Sequence, residues 1–159
     1  YHTVANKGLL YCFGHGLSYT RFKYEDLVID SVYTNTGLVN ASCKITNTGD
    51  YEGDEVIQLY INDVISSTTT YEKNLRGFER VHLKPGESRT VHFSIVPDDL
   101  ILINANHERT VEPGEFKIMI GSSYEDIRLT GSFFYRASQT SPAYKIKEEK
   151  IMNDTEYAQ

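Results

Sequence analysis

Val39-Asn40-Ala41-Ser42-Cys43-Lys44-Ile45-Thr46 alternates without a break: Val39, Ala41, Cys43 and Ile45 on one parity, Asn40, Ser42, Lys44 and Thr46 on the other. In an extended chain successive side chains point to opposite faces, so this stretch predicts a half-buried strand with its odd-numbered face inward. The same period of two recurs on either side. Upstream, Phe22 to Val32 reads as a first strand. Downstream, Asn47-Thr48-Gly49-Asp50-Tyr51-Glu52-Gly53 supplies residues that tolerate positive φ and bond their own backbone. That turn leads into Glu55-Val56-Ile57-Gln58-Leu59-Tyr60-Ile61, apolar on both faces and therefore a central strand.

Ser66-Ser67-Thr68-Thr69-Thr70 reads as a surface loop before a fourth strand near Leu75 to Leu83. Lys84-Pro85-Gly86-Glu87 and Glu112-Pro113-Gly114-Glu115 each set Pro where φ near −65° is needed and Gly where φ is positive, the pattern of a type II turn. Each should begin a new strand: Arg89 to Val96, then Glu115 to Ile120. Between them Asp98 or Asp99 caps a short helical turn in Pro97 to Ile103, followed by a polar hairpin, Asn104-Ala105-Asn106-His107. A last strand runs from Ile127 to Tyr135. Seven short strands and no long helical period predict an all-β fold, a seven-stranded antiparallel β-sandwich. With no Trp in the chain, the Cys-Trp-Cys core of a true immunoglobulin domain is absent, and fibronectin type III-like is the nearer immunoglobulin-like subclass.

The 159 residues, 40% of them hydrophobic and including 12 Tyr and 7 Phe, suffice for one buried core. The net charge of −6 with scattered basic residues argues against a nucleic-acid partner. No apolar run is long enough to cross a bilayer, so no membrane partner is expected. Tyr1-His2-Thr3-Val4 lacks the start of a secretory signal, placing any signal upstream of residue 1. Phe13-Gly14-His15-Gly16-Leu17-Ser18-Tyr19 suits neither helix nor strand, because its two glycines carry a high backbone entropy cost in both. It reads as a close-packed connector. The expected organisation is therefore a connector over residues 1–20, the sandwich over 21–136, and a polar, flexible tail over 137–159.

In order along the chain, these motifs resemble the C-terminal fibronectin type III-like domain of glycoside hydrolase family 3 enzymes, the β-glucosidase and β-xylosidase group. Leu10-Tyr11-Cys12-Phe13-Gly14-His15-Gly16-Leu17-Ser18-Tyr19-Thr20 is similar to the segment leaving the second catalytic domain of that family. Asn47-Thr48-Gly49, Gly53-Asp54-Glu55-Val56, Leu75-Arg76-Gly77-Phe78, Leu83-Lys84-Pro85-Gly86-Glu87 and Glu112-Pro113-Gly114 continue the likeness over residues 9 to 135. Cys12 stands where Pro is common, and Ile103-Asn104 where an aromatic and Asp are common. The resemblance implies a non-catalytic module that stabilises and packs on upstream catalytic domains of the same polypeptide. The parent would be a glycoside hydrolase acting on O-glycosyl bonds of a β-linked oligosaccharide, without a cofactor, in a secreted or periplasmic setting. Phe13, His15, Leu17 and Tyr19 become candidate interdomain contacts. The competing reading is an independent carbohydrate- or protein-binding sandwich.

Within the chain itself the chemistry is sparse. A glycosidase needs two carboxyls about 5 to 10 Å apart across one sugar bond. Neighbours in a strand diverge to opposite faces, so Asp54-Glu55, Asp98-Asp99 and Glu125-Asp126 cannot each form such a pair, and no catalytic residue is predicted. His2, His15, His82, His92 and His107 are never spaced for a shared metal ion, and neither Cys12 nor Cys43 has metal-ligand spacing. Cys43 is expected as a buried free thiol. Tyr71 and Tyr124 could stack on sugar rings if exposed. Asn40-Ala41-Ser42 and Asn153-Asp154-Thr155 fit the N-glycosylation acceptor pattern.

Overall fold

Val39, Ala41, Cys43 and Ile45 are all buried to 1% exposure or less, so the odd-numbered face of that strand does turn inward. The computed structural model describes residues 19–64, 73–103 and 109–136. The strands are β1 (Phe22–Ile29), β2 (Tyr33–Thr34), β3 (Val39–Asn47), β4 (Gly53–Asp63), β5 (Asn74–Leu83), β6 (Ser88–Ile95), β7 (Leu102–Ile103), β8 (Arg109–Thr110), β9 (Gly114–Gly121) and β10 (Ile127–Tyr135). A single 3-10 turn spans Pro97–Leu100 among the described residues.

One sheet has the order β1-β3-β6 and the other β2-β10-β9-β4-β5, with β7-β8 as a separate short pair. Both large sheets contribute to one core. Tyr24, Cys43, Ile45 and Val91 come from the first, and Ile57, Leu59, Val81, Phe116, Ile118 and Phe133 from the second. Phe116 and Phe133 stack at 5.6 Å between ring centroids. β4 lies between β9 and β5, as a central strand should.

The all-β expectation holds, but a purely antiparallel set of seven strands does not. Ten strands occur among the described residues, three of them two residues long, and β2 runs parallel to β10. The first strand also stops at Ile29 rather than Val32. Asp26 takes a φ of 56°, and the pairing with β3 slips between Glu25 and Val28, a bulge that spends the strand's regularity early.

The two Pro-Gly units differ. Gly86 has a φ of 78°, and the Glu87 amide donates to the Lys84 carbonyl at 2.9 Å, a type II turn as expected. Gly114 has no positive φ. It is already the first residue of β9, paired with Tyr135, and the ladder holds it extended, so the expected second type II turn is replaced by a strand start. In the 3-10 turn it is Asp99 that caps, its carboxylate accepting from the Val96 amide at 2.9 Å. The loop at 66–70, the hairpin tip at 104–107, the connector up to Ser18 and the tail beyond Arg136 lie outside the described residues.

Asn47, the last residue of β3, closes one end of the sandwich and is fully buried. Its amide donates to the Tyr51 carbonyl at 2.8 Å and to the Leu83 carbonyl at 2.9 Å. Its side-chain oxygen accepts from the Thr20 hydroxyl at 2.7 Å and the Gly49 amide at 3.0 Å. Its backbone bonds Glu87 and Gly86. The incoming chain, the β3–β4 turn and the end of β5 therefore share one side chain, and the β5–β6 turn bonds the backbone of the same residue. At the opposite end Tyr135 pairs with Gly114, so the described chain comes in at the Asn47 end and β10 finishes at the other.

Asn47→Ala leaves several buried donors and acceptors unpaired and should cost about 3 kcal/mol or more, read as a lower urea midpoint. Gly86→Ala should cost about 1–2 kcal/mol because of its positive φ. Gly114→Ala, with open space around the new methyl, should leave the midpoint unchanged or slightly raised. Equal losses at the two glycines would contradict this assignment.

Candidate functional site

The carboxylates of Asp54 and Glu55 diverge as the pleat requires. Asp54 faces out, accepting from the Arg80 guanidinium at 2.5 Å and lying 2.9 Å from His82 Nδ1. Arg80 and then His82 hold its carboxyl below the ordinary range. Glu55 faces in and is 8% exposed. The Tyr24 hydroxyl, from the other sheet, donates to its Oε1 at 2.6 Å. Burial pushes the Glu55 carboxyl above its ordinary 4.5, against the pull of the Tyr24 hydrogen bond and of Arg128. Burial, then Glu55, raises the Tyr24 phenol as well.

Arg128 completes this group. Its guanidinium sits 4.6 Å from the Tyr24 ring centroid, donates to the Phe22 carbonyl at 2.6 Å and grips Asp126 through Nε and Nη2. Asp126 also accepts from the Ser122 hydroxyl at 2.6 Å. The arrangement seals the side of the sandwich where β1 meets β10. Its single inward carboxyl already has a phenol partner, and the Asp126 carboxylate is held by Arg128 and Ser122.

Several of the remaining candidates are committed as well. Asp99 serves as a cap, and Asp126 as the partner of Arg128. Lys73 donates to the Tyr124 carbonyl at 2.7 Å and stands 4.4 Å from its ring centroid, while Tyr60 meets the ring edge-on at 6.0 Å. Tyr124 is thus held by its neighbours rather than presented as an open platform. The Tyr60 hydroxyl donates to Gln58 Oε1, and Gln58 donates to the Ser122 carbonyl at 3.0 Å. Cys43 is a buried free thiol, pushed up to about 11 by burial. Asn40 is exposed, but its amide donates to Asp30 at 2.7 Å and its oxygen accepts from Ser94 at 2.8 Å. Among the described residues no group of three His, Cys, Asp or Glu could hold a metal ion. No helix of the described residues is long and apolar enough to cross a membrane.

Of the four candidate contact residues only Tyr19 is described, and it is 97% exposed. Phe13, His15 and Leu17 lie outside the described residues, as do Tyr71, Asn153, Cys12, His2, His15 and His107. Sequence reasoning did not single out the outer face of β4 and β5. Phe78 there is 68% exposed, with Val56 beside it and Tyr51 at the Asn47 end, 67% exposed. Phe78 pairs with Gln58 and Arg80 with Val56, so these side chains share one face. An aromatic at an even position of a strand whose inward residues, Val81 and Leu83, are odd was the available signal.

Residues 55–124 match the model of the fibronectin type III-like domain. A β-xylosidase of Formosa agariphila is 45% identical over 124 residues, 77% of this chain and 17% of that protein. Thermostable β-glucosidase B of Acetivibrio thermocellus is 43% identical over 136 residues, 83% of this chain and 18% of that protein. Among solved structures, a β-glucosidase of Erythrobacter marinus superposes with a TM-score of 0.76 at 35% identity, over 85% of this chain and 18% of that one. The Listeria innocua β-glucosidase bound to glucose gives 0.73 at 30%, over 85% and 19%. The chain spans less than a fifth of the length of these relatives.

A carboxyl with a raised folded-state pKa binds its proton more tightly folded than unfolded, so Glu55 lowers stability as pH rises above 4.5. Glu55→Gln keeps an oxygen for the Tyr24 hydroxyl and removes this titration. Between about pH 4.5 and 7 the variant's melting temperature should gain relative to the parent as pH rises. Glu25 and Asp54, both held below their ordinary values, act in the opposite sense and are common to both proteins. Thermal unfolding followed by circular dichroism checks this, and parallel pH profiles would contradict it.

Proposed function

Because the chain carries a fibronectin type III-like domain of the kind present in β-glucosidases and β-xylosidases, we propose that it is the non-catalytic C-terminal module of a glycoside hydrolase family 3 enzyme. It stabilises the catalytic domains by packing on them. The carrying observation is the mismatch of coverage: identity of 43–45% extends over 77–83% of this chain, yet over only 17–18% of enzymes with glycosidase names. What the likeness transfers is the module, and the chemistry belongs to the remaining length.

In this reading residues 1–20 are the connector, 21–136 the sandwich and 137–159 a tail, with the seven longer strands as the fibronectin type III-like frame. Phe13, His15, Leu17 and Tyr19 contact the catalytic body, and the 97% exposure of Tyr19 supports a side chain awaiting a partner. The parent hydrolyses β-linked glucosides or xylosides with water as final acceptor and no cofactor. Its two catalytic carboxyls lie outside this chain, and the engaged state of Asp54, Glu55, Asp99 and Asp126 supports that assignment.

The purified chain should not release the aryl group from aryl β-glucosides or β-xylosides, and the reading frame upstream should encode several hundred residues of α/β pattern. Turnover by the chain that a point change within it abolishes would overturn the proposal. So would a frame that joins a signal peptide directly to this domain. Calorimetric binding of xylan or β-glucan oligomers by the chain alone would favour an independent binding module.

A further inference from the structure

We infer that the outer face of β4 and β5, from Tyr51 at the Asn47 end to Phe78, is the surface on which the catalytic body sits. The inference rests on the module reading above and adds to it a location and a chemistry: an apolar partner surface with an acidic margin.

The four sheet edges are unequal. β1 is broken by the bulge at Asp26, and β2 is only two residues long. β6 presents Ser88, Thr90, His92 and Ser94 outward, all polar. β5 runs for ten residues at its sheet edge and carries Leu75 and Phe78 exposed. A long edge strand with large exposed apolar groups templates association unless something covers it. Val56 and Phe78 sit diagonally on this face.

Two further observations select the occupant. Thr20 and Leu83 both bond Asn47, so the incoming chain is fastened to the end of β5. Phe78 lies about 17 Å along the strand from that fastening point. Of the strand's charged side chains, Arg80 and His82 already hold Asp54, and Glu79 is acidic and exposed. Arg76, exposed at the slip in pairing where Gly77 faces Leu59 and Leu75 faces Tyr60, is the basic group turned towards a partner. Its charge favours an acidic group on the covering surface. The Tyr33–Phe134 stack, with Arg136 4.4 Å from the Tyr33 centroid, lies at the opposite end and edge, away from the incoming chain.

Hydrogen exchange on the chain alone and on the full-length polypeptide tests this. The β5 amides that point away from β4 should exchange at least about tenfold more slowly in the full-length protein. Phe78→Asp should lower the melting temperature of the full-length protein while shifting that of the chain alone by no more than about 2 °C. Equal β5 exchange in both, with protection at Tyr33 and Phe134 or on the outer face of β1-β3-β6, would overturn the location and leave the module reading standing. Concentration-dependent dimerisation of the chain that protects β5, with no protection in the full-length protein, would overturn it in favour of a second copy. A frame without upstream catalytic domains would instead remove the module reading, and with it the occupant.

Discussion

The buried amide of Asn47 joins the incoming chain, the β3–β4 turn and the end of β5 at one point. It takes two donors' worth of bonds to Tyr51 and Leu83 and two acceptor bonds from Thr20 and Gly49. Tyr51 and Leu83 belong to the second sheet's approach and edge, whereas Asn47 ends the first sheet's central strand. Hydrophobic contact holds the sheets face to face but is non-directional. A side chain with donors and acceptors at fixed angles sets their alignment at this end, and the amide's two N–H donors and two oxygen lone pairs match the four bonds made. Gly49 belongs to the same arrangement: a methyl there would meet the Thr20 hydroxyl at 2.1 Å.

At the side of the sandwich a second polar group does similar work with charge. Tyr24 and Glu55 bridge the two sheets, and Arg128 covers the phenol ring while anchoring to Asp126. A buried carboxyl is costly unless hydrogen-bonded, and here the Tyr24 phenol supplies the bond. The outer charges follow another logic. Glu25 between Lys23 and Lys44, half-buried, and Asp54 between Arg80 and His82, exposed, lie at the surface, where salt screens such pairs and each contributes little. The consequence is a core fixed by a few directional bonds and a surface whose charges remain available to a partner.

Much of this frame was legible in the residues. The alternation from Val39 to Ile45 states its inward face outright, and Lys84-Pro85-Gly86 states its turn, because both are local. What escaped depended on distant partners. Gly114 looked like Gly86 in sequence, but pairing with Tyr135 decides its φ. β2 is two residues long and finds β10 in parallel across the fold, which no periodicity announces. Asn47 was legible as a turn residue and not as a hub, since Leu83 lies 36 positions away. Glu55 sits in a run of apolar residues, and its burial follows from Tyr24, 31 positions upstream. The docking side chains were half legible: Tyr19 belonged to a conspicuous motif, whereas Phe78 needed the strand's parity to expose it.

The two ends of the sandwich carry opposite traffic, with the chain arriving beside Asn47 and β10 finishing near Tyr135. Nine residues of strand span about 30 Å. A module threaded this way is a strut. A group attached at Tyr135 itself is carried a full domain length from the point where the incoming chain is fastened. Immobilisation through that end of the sandwich would therefore hold whatever is joined at the Asn47 end off the support by the length of the sandwich.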